Sequence, residues 1–126
     1  YKHAGAMAKD LGIIPSLQVR LNELGIALAP CHNDLVPENF IKSTQGELYL
    51  IDWEYSGMND PHWDLAALFL ESRFSEESKA YFLARYFSDG IPQDSPQKIL
   101  IYQILISRRQ KGKTSARMEQ TAMLVH

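Results

Sequence analysis

Cysteine is almost missing from this 126-residue chain. Cys31 stands alone, so no disulfide can close within it, and the composition suits a reducing compartment, read here as the cytoplasm. No apolar run approaches the roughly 20 residues that span a bilayer, and the first residues lack the organisation of a signal peptide, so no membrane partner is expected. Histidine is scarce too. His3, His62 and His126 are the only companions of His32 and none has the spacing of a fellow ligand, which argues against a metal-hydrolase site built on His32 and Asp34. Neither a Gly-rich phosphate loop nor a strand lysine occurs ahead of residue 31, and there is no internal repeat. The opening on Tyr1 is read as a start inside a longer protein.

What is present describes one ordinary globular unit: 45% hydrophobic and 22% charged residues, in a chain of about one domain's length. The net charge of −2 is unevenly spread. Arg108, Arg109, Lys111, Lys113 and Arg117 against Glu119 give the end of the chain +4 and leave −6 on residues 1–106. A basic end can bind nucleic acid. Here it also loses aromatic residues after Tyr102 and loses apolar periodicity, so residues 107–126 are read as an atypical, aberrant end, and no nucleic-acid partner is expected.

Helices are expected first. Ala4, Met7, Ala8 and Leu11 recur at helical spacing up to Gly12; Pro15 then opens a second helix with a Leu17–Leu21–Leu24 stripe, stopped by Gly25. The pattern changes at Asn39–Lys42 and Leu48–Asp52, two short apolar runs joined by Ser43–Glu47 with Gly46 in the turn, which predicts a β-hairpin. Asp60 and Pro61 form a start signal for a helix through Glu71. Ser75, Glu76 and Glu77 start another, which Gly90 ends. After Pro92 and Pro96 a strongly apolar helix runs from Lys98 to about Arg109. The fold class is therefore mainly α with a small β-hairpin.

Two segments carry chemistry. His32-Asn33-Asp34-Leu35-Val36-Pro37-Glu38-Asn39 has the form H-x-D-L-x-x-x-N, the spacing of a kinase catalytic loop. Phosphoryl transfer asks a protein mainly to position reactants and neutralise phosphate charge. One carboxylate orienting a hydroxyl and one amide oxygen on a metal, five residues on, can do both. Leu48–Leu50 then leads through Ile51 to Asp52-Trp53-Glu54, with Asp52 thirteen residues after Asn39. That separation lets a hairpin return Asp52 beside Asn39, giving Mg²⁺ two hard oxygen ligands.

Cys31–Asn39, Ile51-Asp52-Trp53-Glu54-Tyr55-Ser56-Gly57 and Asp60-Pro61-His62-Trp63-Asp64-Leu65-Ala66 together resemble the aminoglycoside phosphotransferase and choline kinase superfamily. His-Asn-Asp in place of His-Gly-Asp is similar to the bacterial choline kinases. The resemblance is close over roughly Pro30–Phe87. It implies a protein-kinase-like fold of which residues 1–106 are part of the C-terminal lobe, with the catalytic loop at 31–39 and a metal-binding segment at 48–57. It implies ATP as co-substrate, Mg²⁺ as cofactor, and choline or a similar small alcohol (ethanolamine, thiamine or an aminoglycoside) as acceptor. Asp34 would be the catalytic base, His32 and Asp64 would support its loop, and Asn39 and Asp52 would hold the metal. Glu54 and Glu71 would serve the substrate region, with Tyr55, Trp63 and Phe74 as aromatic candidates, because a quaternary ammonium is held by carboxylates and ring faces. Against these stand structural roles: His62 and Trp63 as packing residues, Cys31 as a small core residue, and a non-catalytic remnant overall. Without a phosphate-clamping loop, the chain by itself is expected to be inactive.

Overall fold

The computed structural model describes residues 2–108, with side chains from residue 13 onward. Helix α1 (Lys2–Leu24) is continuous, running through both Gly12 and Pro15 where two helices were expected. Proline inside a helix costs about 3 kcal/mol and glycine about 1 kcal/mol. Helical pairing continues past both, and Leu17, Leu21 and Leu24 tie the second half to the core. Gly25 does stop the helix. At φ +91° it takes a left-handed conformation, and its N–H donates back to Leu21 O at 3.0 Å.

The expected hairpin forms from β2 (Phe40–Lys42) and β3 (Leu48–Leu50), antiparallel in the register Phe40–Leu50, Ile41–Tyr49, Lys42–Leu48. Ser43 organises the turn: its N–H donates to Glu47 O at 2.8 Å, and its Oγ accepts from Glu47 N at 3.1 Å. The strands are shorter than the apolar runs. Asn39 closes a single 3₁₀ turn (Pro37–Asn39), and Asp52 leaves the strand direction at φ +63°. A second ladder was not anticipated: β1 (Ala29–Cys31) pairs antiparallel with β4 (Gly57–Asn59). These segments lie 28 residues apart and neither alternates, so only the tertiary fold creates the pairing.

Asp60 caps α2 (Pro61–Glu71) with its side chain accepting from His62 N, and Ser75 caps α3 (Glu76–Tyr86) by accepting from Ser78 N. Helix α3 ends at Tyr86, before Gly90. Phe87 donates its N–H to Leu83 O at 2.9 Å, and Gly90, at φ +110°, closes a separate turn onto Phe87 O. The last described helix, α4, covers 95–108 and so begins three residues before Lys98, with Pro96 in its first turn. Residues 109–126, most of the expected atypical end, lie outside the described residues.

Helix α2 is the centre of the core. Leu65, Ala66, Ala67, Leu68 and Phe69 are all buried, against Leu21 of α1 and Ile99, Ile101, Tyr102 and Ile106 of α4. Each large apolar side chain buried this way contributes about 1.5–3 kcal/mol. Cys31 is buried as expected, and burial followed by the nearby Asp64 charge pushes its thiol pKa up. Among the described residues no helix is long and apolar enough to cross a membrane.

Candidate active site

The loop between β1 and the 3₁₀ turn carries His32, Asn33 and Asp34, and it hangs from α2. Asp64, in the first turn of α2, accepts the His32 N–H on Oδ2 at 2.8 Å and the Asn33 N–H on Oδ1 at 2.9 Å. Two backbone donors that no strand partner serves thereby meet one carboxylate, a charge-assisted arrangement stronger than neutral pairing. Asn33 needs the help, since it sits at φ +70°, a conformation that asparagine tolerates better than most residues.

His32 is 2% exposed and its tautomer is set by its neighbours. Nδ1 accepts from Asp34 N at 3.2 Å, which leaves Nε2 protonated to donate to Ile51 O at 2.8 Å. The ring also meets the Trp53 indole edge-on, with centroids 4.7 Å apart. One histidine thus joins the Asp34 loop to the strand that leads to Asp52. A second tie crosses the same gap, where the Ile51 N–H donates to Asn39 O at 2.8 Å. Asp52, the next residue, projects from a left-handed backbone position.

Asn39 is buried, and its Nδ2 donates to Asp34 O at 2.7 Å and to Asp34 Oδ2 at 3.2 Å. An amide whose nitrogen faces Asp34 presents its oxygen to the opposite side, as a metal ligand must. The donor chemistry fits Mg²⁺: Asn39 and Asp52 offer hard oxygens, and among the described residues no tighter group of three His, Cys, Asp or Glu gathers. A cation here would draw its remaining ligands from phosphate and water, as Mg²⁺ commonly does.

The substrate candidates are dispersed. Glu54 and Tyr55 lie on the exposed loop after Asp52, and Tyr55 contributes its carbonyl to Asn33 Nδ2 at 3.0 Å. Glu71 falls seven residues after Asp64 on α2, the same helix face about 10 Å further along. Trp63, adjacent to Asp64, packs edge-on against Tyr102, with centroids 5.7 Å apart. Phe74 joins a cluster with Phe69 and Phe82 and lines an open cavity of about 650 Å³ shared with Arg73, Glu77 and Tyr81. None of Asp34, Asn39 or Asp52 lines that cavity.

A buried polar cluster that residue spacing does not reveal surrounds Asp60. Asp60 is 1% exposed and does far more than cap α2. Oδ1 accepts from His62 N at 3.0 Å and from His62 Nδ1 at 2.7 Å, while Oδ2 accepts from Tyr102 OH at 3.0 Å and pairs with the Lys98 ammonium. Lys98 also donates to Gly25 O at 2.9 Å, and His62 Nε2 meets Ser95 Oγ at 2.8 Å. Burial opposes the Asp60 charge, but Lys98, His62 and Tyr102 outweigh it and hold the carboxyl below its usual range. Burial and the Asp60 charge push the Tyr102 hydroxyl well up. Asn59 then links this cluster to the His32–Asp34 loop, its Oδ1 accepting from Asp60 N at 2.8 Å and its Nδ2 donating to Asn33 Oδ1 at 3.0 Å. A lysine at the head of a strongly apolar helix was the one sequence signal for this network. The Asn33–Asn59 pair left none.

Comparison with known proteins agrees with the geometry. A choline kinase, LicA, from Streptococcus pneumoniae superposes with a TM-score of 0.76 at 55% identity, over 85% of this chain and 38% of that one. A LicA structure in complex with AMP gives the same TM-score at 52% identity, over 85% and 37%. An aminoglycoside-3'-phosphotransferase of type VIII matches with a TM-score of 0.53 at 30% identity, over 72% and 38%. Among curated sequences, the LicA protein of Haemophilus influenzae is 49% identical over 61 residues, 48% of this chain and 18% of that protein. The chain thus spans well under half the length of these relatives, and its fold is part of the kinase-like fold they share. The family model described as choline/ethanolamine kinase matches residues 11–125, and the chain belongs to that family of phosphotransferases.

Proposed function

We propose that this chain carries the catalytic loop and metal-binding segment of a kinase that transfers the γ-phosphoryl group of ATP to choline. The observation that carries the reading is the pair of ties across one gap, His32 Nε2 to Ile51 O and Ile51 N to Asn39 O. They hold the Asp34 loop, the Asn39 amide and the Asp52 turn together. In this reading Asp34 accepts a hydrogen bond from the choline hydroxyl and takes its proton as the oxygen attacks the γ-phosphorus. The bond from that phosphorus to the bridging oxygen breaks, and ADP leaves. Asn39 and Asp52 would hold Mg²⁺, which when bound neutralises phosphate charge. The acidic balance of residues 1–106 suits both a divalent cation and a cationic alcohol. In this reading Glu71, on the Asp64 face of α2, and Glu54 would be the carboxylates that meet the quaternary ammonium.

Ahead of the His32–Asn39 loop the sequence holds no Gly-rich loop and no strand lysine to grip the ATP phosphates, so the 126-residue chain by itself is predicted to turn over no choline. Grafting residues 13–108 in place of the matching stretch of the pneumococcal enzyme restores the missing parts. The graft should phosphorylate choline in preference to ethanolamine, thiamine and an aminoglycoside, measured as ADP release across the panel. Equal or faster turnover of another alcohol would move the assignment to that substrate. No turnover of any alcohol by a folded graft would leave a non-catalytic role.

A further inference from the structure

Consecutive residues of the catalytic loop close both ends of the segment that carries Asp52. His32 Nε2 holds Ile51 O at 2.8 Å, and Asn33 Nδ2 holds Tyr55 O at 3.0 Å. Between these two carbonyls lie only Asp52, Trp53 and Glu54. The turn inside is stabilised by Ser56 N donating to Trp53 O at 3.0 Å, and Asp52 adopts φ +63°. The Asn33 amide is itself fixed from behind. Asn59 Nδ2 donates to Asn33 Oδ1 at 3.0 Å, and Asn59 cannot turn its amide over without presenting a donor to the Asp60 N–H that its oxygen now accepts. The orientation therefore passes from the buried Asp60 cap through Asn59 to Asn33 and on to Tyr55.

We propose that Asn33 is a positioning residue for phosphoryl transfer: oriented by Asn59, it clamps the 51–55 segment and so fixes Asp52 relative to Asp34. This rests on the proposed roles of Asp34 and Asp52. Asn33 stands next to Asp34 in the chain and touches the Asp52 turn through its side chain, so it closes the far end of a segment whose near end His32 and Asn39 already hold. A displacement of about 1 Å between reacting groups can lower turnover on the order of a hundredfold. The left-handed backbone at residue 33 is compatible with glycine, which would supply the loop conformation without the clamp. Asparagine at this position adds the tie to Tyr55.

The test uses the 126-residue chain, ¹⁵N-labelled, with Mn²⁺ alone as the metal probe. Asn33→Gly keeps the φ and the backbone donor to Asp64 but removes both side-chain bonds. Asn59→Asp has the same shape and breaks the chain of amides from the other side, by turning an acceptor toward Asn33 Oδ1. In either variant, order parameters over residues 52–56 should fall from rigid values near about 0.85 to below about 0.6. The Mn²⁺ concentration that half-broadens the Asn39 and Asp52 resonances should rise severalfold, with the thermal midpoint little changed. Should Asn33→Gly fail to fold, Asn59→Asp decides. A folded variant whose 52–56 segment stays rigid overturns the clamp and leaves the metal reading standing. Absence of Mn²⁺ broadening at Asn39 and Asp52 in the wild-type chain refutes the metal reading, and with it this role for Asn33.

Discussion

Replacing Asp60 with asparagine should destabilise the protein far more than the loss of a helix cap. Asparagine caps α2 about as well as aspartate, so the capping contribution of roughly 1 kcal/mol survives the change. What is lost is the negative charge that faces the Lys98 ammonium, the Tyr102 hydroxyl and the His62 ring. Asp60 and Lys98 are only 1% and 6% exposed, so water cannot take the missing partner's place. Removing one member of such a buried pair costs about 3–5 kcal/mol. Against a typical domain stability of about 5–15 kcal/mol, that is a large share. For a unit of this size it lowers the thermal midpoint by at least about 12 °C. Urea or thermal unfolding followed by tryptophan fluorescence suits the question, because Trp63 packs on Tyr102 beside the pair. The double variant Asp60→Asn with Lys98→Met, which no longer strands a buried cation, should recover much of the loss. A single variant that costs less than about 1 kcal/mol, or a double variant no better than the single one, would refute the electrostatic reasoning.

Other expectations follow from the same contacts. The depressed Asp60 pKa makes its contribution fully present above the usual carboxylate value of 3.8 and lost as pH falls through the lower folded value. Acid unfolding of the wild type should therefore steepen below about pH 4, a feature absent in Asp60→Asn. The raised Tyr102 pKa acts at the other end. Its contribution is complete below the ordinary value of 10.0 and is lost as pH rises toward the folded one. Tyr102→Phe should remove that alkaline sensitivity and cost about 1.5–3 kcal/mol near neutral pH, the range for a hydrogen bond to a charged group. Asp64→Ala strands the His32 and Asn33 amides and should cost about 3 kcal/mol. Amide exchange should then quicken in residues 32–34 before it does in α3.

Local chemistry in the sequence foretold the parts of the fold that neighbouring residues decide. Asp60 with Pro61, Ser75 with two glutamates, and Gly25 each act within a single turn, and each sits where that chemistry puts it. The hairpin was legible because Ser43–Glu47 is a self-contained turn between apolar runs. The β1–β4 ladder was not. Ala29–Cys31 and Gly57–Asn59 have no period to read, and their pairing depends on the loop and hairpin folded between them. Gly12 and Pro15 misled in the opposite direction, since local breakers lost to helical continuity. For the site, the H-x-D-L-x-x-x-N spacing pointed to Asp34 and Asn39, which hydrogen-bond to each other, and the later Asp52 follows Ile51, whose backbone is tied to His32 and Asn39. The ties that hold them there, His32 to Ile51 O and Asn33 to Tyr55 O, run from side chain to backbone carbonyl. Such bonds leave no mark in residue identity at the accepting end. The buried Asp60–Lys98 pair was hidden for a related reason, because a lysine in an apolar helix reads as a solvated charge until its partner is known.

The central claim is that Asp34 is the base of a phosphotransferase whose metal is held by Asn39 and Asp52. Its most direct test is turnover of choline with Mg²⁺ and ATP by the pneumococcal graft carrying Asp34→Asn. Removal of a general base predicts a fall in kcat of about 10²–10⁴-fold, with KM for choline little changed. A graft that keeps its kcat within a factor of a few would contradict the account.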